Sequence, residues 1–318
     1  MACGSSVRTE NDTAARPPTT SVGSAVGDDE TDATGEDDDE TGERERLDAG
    51  TGAVSGCQYV DLLFVIDNST SMGTYQAALA ASFPGFIEAM FEVLPEGIDM
   101  HVGITTTDFD AGCNAPESTA NCQTSASVAE VQSHYKRPTE EHDGGNGTQG
   151  RLFRWAGRHW FEATTDDDPS ELVTWFSNAA TAAGEDGCSF EMPVAAAGWA
   201  THPANAATNE GFLRDAGGLF VIFFLTDEPD KSPQSKDVYG QMVLDAKSEC
   251  GGARCVFASG LIPACTIDVN QKLWQFMKLW GEDDPPWGNI LHTQSYTSHF
   301  GDALAMALAD ACAEIPIP

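Results

Sequence analysis

A chain of 318 residues with 50 acidic against 16 basic side chains carries a formal charge of −34, which repels phosphate backbones and anionic surfaces and argues against nucleic-acid partners. It holds no apolar stretch of the roughly 20 residues that a membrane-spanning helix needs. Nine cysteines without a Cys-x-x-Cys metal spacing point to an oxidising compartment.

Residues 1–56 lack apolar periodicity and carry acidic runs at 27–32 and 35–40. Such a segment buries too little surface to offset its ordering entropy, so a disordered, self-repelling acidic tether is expected. At its start, Met1-Ala2-Cys3-Gly4-Ser5-Ser6 resembles the end of a bacterial lipoprotein signal whose charged and apolar parts would lie upstream. Cys3 is then the lipidation site, any membrane contact runs through that anchor alone, and eight cysteines are left for pairing.

The domain at 57–318 opens on Val60-Asp61-Leu62-Leu63-Phe64-Val65-Ile66, an apolar run that reads as a parallel strand buried on both faces. It ends in Asp67-Asn68-Ser69-Thr70-Ser71. A helix over 75–90 follows, which Pro84-Gly85 should kink or split. A second strand over 100–107 runs parallel to the first by the crossover rule, with His101 at its start as a structural or exposed residue. Asp108 and Asp110 at its end are expected to form a turn or to support a metal from outside. Residues 111–157 make a long Gly-, Ser-, Thr- and Asn-rich insertion, and loops of that length are functional or disordered. Leaving the sheet at a carboxyl end, it should overhang any ligand there, and Arg151, Arg154 and Trp155 are its expected partner-facing residues.

A return strand over 158–164 should pair antiparallel at the edge, and Asp166-Asp167-Asp168-Pro169-Ser170 should open an acid-capped helix through 183. A small-residue helix over 193–200 precedes a second apolar run, 219–225, ending in Thr226-Asp227-Glu228-Pro229-Asp230. Then come a helix at 237–249, a strand at 255–262, an amphipathic segment at 270–280, a short strand at 289–293 and a closing helix at 300–312. This order gives an α/β fold: a doubly wound, mostly parallel sheet flanked by helices.

Ligands of such sheets bind beyond the strands' carboxyl ends. A carboxylate with hydroxyls at alternate positions after one strand, and a carboxylate after another, can converge there on a hard divalent cation. This pairing of Asp-x-Ser-x-Ser with a later strand-Thr-Asp resembles the von Willebrand factor A (vWA) domain over roughly 58–315. The resemblance implies a metal-ion-dependent adhesion site in which Asp67, Ser69, Ser71 and Asp227 hold Mg²⁺ (or Mn²⁺ or Ca²⁺), completed by an acidic group of a partner protein or surface ligand. The family's third element is a Thr in a loop before a helix, and here Cys188 falls at that place within 184–193. A thiol is a poor ligand for a hard cation. Ser189, Glu185, Asp186 and Glu191 are the oxygen-bearing replacements nearby.

By position, Cys113 is expected to pair with Cys122 across the insertion, Cys250 with Cys255 at a helix-to-strand turn, Cys57 with Cys312 at the domain ends, and Cys188 with Cys265 at the metal-bearing edge. The function expected is a surface-tethered binding or adhesion module of the bacterial cell envelope, not an enzyme. One alternative is a metal-dependent, phosphatase-like hydrolase with Asp67 as nucleophile, but such enzymes need a second acid where Ser69 stands and a lysine, and Lys231 follows a Pro-containing turn. No His-Glu-x-x-His or Gly-x-Ser-x-Gly occurs. The other alternative, a chelatase-like vWA scaffold, is opposed by the cysteine usage.

Overall fold

The structure, a computed structural model, describes residues 56–315 except 111–112, 114–121, 123–125, 140–143, 282, 293–295 and 300–301, so the acidic tether and Cys3 lie outside the described residues. The apolar runs of the sequence become β1 (Tyr59–Ile66), β2 (Asp99–Thr106), β4 (Gly218–Leu225) and β5 (Val256–Ile262), with β3 (Trp160–Thr164) and β6 (Trp287–Asn289) at the edges. They form one six-stranded sheet in the order β3-β2-β1-β4-β5-β6, in which only β3 runs antiparallel. This is the doubly wound, vWA-like α/β architecture the resemblance implied. The last strand lies earlier than the 289–293 expected, because Trp287 to Asn289 take the register opposite Gly260 to Ile262.

Alternation along β1 divides the core. Leu62, Phe64 and Ile66 pack with α1 (Gly73–Val93), α3 (Ser170–Ala182) and α9 (Asp302–Ala313), whereas Leu63 and Val65 pack with α4 (Pro193–Ala200), α6 (Lys236–Ala246) and α7 (Lys272–Met277). Phe83 of α1 stacks on Phe176 of α3 with ring centroids 3.7 Å apart. Contrary to expectation, α1 is helical straight through Pro84. A proline removes the donor to the carbonyl four residues back, and here the hydroxyl of Ser177 in α3 donates to that carbonyl, Ala80 O, at 3.2 Å. α4 is buried at every position.

Three further helices, α2 (Val128–His134), α5 (Ala206–Asn209) and α8 (Tyr296–His299), were not expected. α2 lies inside the long insertion and has a capping box, Ser127 with Glu130. At α3 the cap is Pro169 with no side-chain bond. Only Asp168 serves the helix's first residue (Ser170 N, 2.9 Å), while Asp166 and Asp167 hold the loops at Gly97 N (3.1 Å) and Thr164 N (2.7 Å). His101 is buried, and its Nδ1 lies 2.7 Å from Phe212 O.

Two expected disulfides form, Cys57–Cys312 and Cys250–Cys255. The other two are exchanged: Cys113 pairs with Cys188 and Cys122 with Cys265. The reason lies in where the two described cysteines of the insertion sit. Cys113 O accepts from Ser189 N at 3.2 Å, and Cys122 O accepts from Gln271 Nε2 at 3.4 Å, so each cysteine lies against a loop distant in sequence. Among the described residues no helix is long and apolar enough to cross a membrane.

Candidate metal centre

Register brings the site together. Ile66 stands opposite Leu225 and Thr106, so Asp67, Thr226 and Thr107 leave the sheet side by side. Asp67 is fully buried, and its Oδ1 accepts from Ser69 N at 2.8 Å while Oδ2 accepts from the Thr226 hydroxyl at 2.8 Å. The Ser69 and Ser71 hydroxyls lie 3.4 Å apart, the first buried and the second exposed to solvent. The Ser71 hydroxyl lies toward the Asp227 carboxylate and works against the upward shift that burial imposes on it. Buried Gln76 of α1 donates to Asp67 O at 3.0 Å and to Gly184 O at 2.9 Å, tying the first loop to the third. The structure thus places Asp67, Ser69, Ser71 and Asp227 together at the carboxyl edge of β1 and β4.

The third loop approaches without supplying a threonine. Gly187 N donates to Asn68 O at 2.9 Å, and a Cβ at Gly187 would meet the Asn68 carboxamide, which would have to move aside. Cys188 is committed to its disulfide with Cys113. Exposed Glu185 accepts from Gly73 N at 2.9 Å and so caps α1, whose own N-cap residue, Met72, makes no side-chain bond. Asp186 is exposed and Ser189 half-buried. Glu191 is the replacement that lies within electrostatic reach of Asp67.

Buried Lys231 pairs with both Glu191 and Glu228 and donates to Ser189 O at 3.1 Å. Its role was not read from the sequence, where it looked like part of a turn. A lysine two residues past a buried strand's acidic exit was the available signal. Carboxylates outnumber this cation, and the cluster responds accordingly. Burial, and then the charge of Asp227, push Asp67 up to about 7. Burial also raises Asp227, while burial and then the charge of Asp67 raise Glu191. Burial alone would lower Lys231, but Glu191 and Glu228 hold its ammonium above the ordinary value.

Donor chemistry fits a hard cation. Asp227 Oδ1, Asn68 Oδ1 and Thr107 Oγ1 are buried oxygens at this edge that lack a hydrogen-bond partner among the described residues. Asp108 is buried, its carboxyl raised by that burial, and its Oδ1 accepts from Asp110 N at 2.9 Å, which is the turn role expected.

The insertion runs beside the carboxyl end of β2. Gly147 O accepts from Thr106 N at 2.7 Å, and Phe153 N donates to Ile104 O at 2.7 Å. Of its three expected partner-facing residues, Arg154 is exposed, Trp155 is half-buried against the core, and Arg151 is only 3% exposed, with Nε and Nη2 lacking a hydrogen-bond partner among the described residues. Arg151 therefore does not present its charge at the surface.

No family model and no curated protein matches the chain. Among solved structures it resembles a von Willebrand factor type A protein from Catenulispora acidiphila, with 13% identity, TM-score 0.38, and coverage of 80% of this chain and 42% of that one. It also resembles proximal thread matrix protein 1 from the mussel byssus (9%, TM-score 0.40, 81% and 49%) and the open pilus adhesin SpaC from Lactobacillus rhamnosus GG (12%, TM-score 0.41, 80% and 30%). The chain spans less than half the length of each. At these scores the likenesses add nothing to the argument from topology.

Proposed function

We propose that this chain is an extracytoplasmic binding module that presents a divalent cation, Mg²⁺ before Mn²⁺ or Ca²⁺, to an acidic group on a partner protein or surface ligand. The observation that carries this reading is the excess of carboxylate at the sheet edge, where Asp67, Asp227, Glu191 and Glu228 interact around the ammonium of Lys231. Oxygens of Asp67, Ser69, Ser71 and Asp227 would hold the ion, a donor set that suits a hard cation retaining several waters. When bound, the ion supplies the concentrated positive charge that receives a partner carboxylate.

The chain's own residues prepare the place. Ser69 N–H and the Thr226 hydroxyl fix the Asp67 carboxylate, and Lys231 restrains Glu191 and Glu228. Exposed Arg154, on a strongly acidic molecule, offers local attraction to an acidic ligand. Four disulfides fit an oxidising, extracellular setting, and a lipid on Cys3 would tether the domain to the outside of the cell envelope. Titration calorimetry of Mg²⁺ into the full chain and into Asp67→Ala tests the proposal. Loss of binding in the variant is expected, and equal affinity in both proteins overturns it.

A further inference from the structure

We infer a second metal site at the opposite, amino edge of the sheet, where Asp99, His101 and Glu162 bind a transition-metal ion of the Zn²⁺ class. His101 of β2 stands directly opposite Glu162 of β3, and Asp99 precedes His101 by two residues, so the three side chains share one face of the sheet. One ring nitrogen of His101 and one carboxylate oxygen from each acid lie within 4.8 Å of one another. That is the spread from which three ligands can close on one ion.

The imidazole is already set for such a role. His101 is 7% exposed, its ring 5.8 Å from that of Trp160 and 6.4 Å from that of Phe212. Nδ1 lies 2.7 Å from Phe212 O. A carbonyl only accepts, so Nδ1 carries the hydrogen, and in the neutral ring the lone pair sits on Nε2, which has no partner among the described residues. An imidazole whose second nitrogen is anchored to a carbonyl is the usual form of a metal-ligating histidine.

The carboxylates are equally available. Among the described residues Asp99 Oδ1 is buried without a hydrogen-bond partner, and exposed Glu162 has no partner. The neighbouring cation, Arg214, is engaged mainly by Asp61, with Nε on Oδ1 at 2.7 Å and the backbone N–H on Oδ2 at 2.8 Å, and meets Asp99 through Oδ2 at 3.1 Å. Asp99 Oδ1 and Glu162 are left to face an ion. One nitrogen and two oxygens favour Zn²⁺ or Co²⁺ over Mg²⁺, which takes imidazole poorly, and three protein ligands leave a fourth position open to water.

The test is a titration of the metal-stripped full chain with Co²⁺, read by visible ligand-field absorption, and with Zn²⁺, read by calorimetry. It compares the natural chain with Glu162→Gln and Asp67→Ala. Glu162→Gln, at an exposed position, should keep its circular dichroism and lose the cobalt band, with Zn²⁺ affinity at least about tenfold weaker. Asp67→Ala should keep the band. The inference is overturned if the natural chain gives no cobalt band, if Glu162→Gln binds as tightly as the natural chain, or if Asp67→Ala abolishes the signal.

Discussion

Two buried aspartates stand at the two ends of β1, and the fold treats them in opposite ways. Asp61, at the amino end, receives the backbone N–H and Nε of Arg214, with the Lys247 ammonium nearby. Burial raises its carboxyl and Arg214 pulls it back. Asp67, at the carboxyl end, is as deeply buried but receives only neutral donors, from Ser69 and Thr226, and faces the charge of Asp227. One carboxylate is completed from within the chain, and the other is held in shape without being neutralised. Burial alone therefore does not distinguish the two acids; the presence or absence of an internal counter-charge does.

The largest effect expected from this contrast is on folding at Asp61. Asp61→Ala leaves Arg214 only its contacts with Asp99 and Val60 O and should cost about 3 kcal/mol in denaturant unfolding, with Mg²⁺ affinity unchanged. Undiminished stability would break the contrast. Asp67→Ala should do the reverse, weakening Mg²⁺ at least about 100-fold, or roughly 2.7 kcal/mol. Its unfolding midpoint should hold or rise, since desolvation and repulsion from Asp227 are relieved, and a large loss of stability would assign Asp67 to the fold instead.

Acid sharpens the picture through a third ionisable group. Burial pushes His299 down to about 4, below its ordinary 6.5. The unfolded chain therefore takes up that proton first, and stability present above 6.5 is lost as pH falls toward 4, by about 2 kcal/mol after allowance for partial solvent access. Asp67 acts with the opposite sign: raised to about 7, it favours the folded state at low pH and loses that contribution as pH rises through 7. His299→Gln should flatten the acid limb of a stability profile, whereas Asp67→Asn should flatten the neutral one. Smallest is Ser177→Ala, which frees the Ala80 carbonyl opposite Pro84 and should cost about 1 kcal/mol in the same unfolding assay.

Residues whose meaning is local were legible in the sequence. The runs ending at Ile66 and Leu225 could only be buried strands, and their register delivered Asp67 and Asp227 to one edge. Partnerships across long sequence separations were not. Nothing near Asp61 names Arg214, although a charge inside an apolar strand is itself a sign that a counter-charge exists. Position in sequence gives Cys113 its nearest neighbour, Cys122, whereas the structure pairs it with Cys188, 75 residues on. Pro84 was read by its local rule, and a hydroxyl from another helix lifted the penalty.

The Cys57–Cys312 bond has a mechanical meaning. It joins positions 255 residues apart, just ahead of the central strand and near the end of the last helix, where Cys57 N also donates to Cys312 O at 2.8 Å. Tension entering at residue 57 and leaving beyond 312 passes through this one covalent link, so the sheet between them carries no load. A pull along the chain ends therefore leaves the loops at the carboxyl edge of the sheet undisturbed.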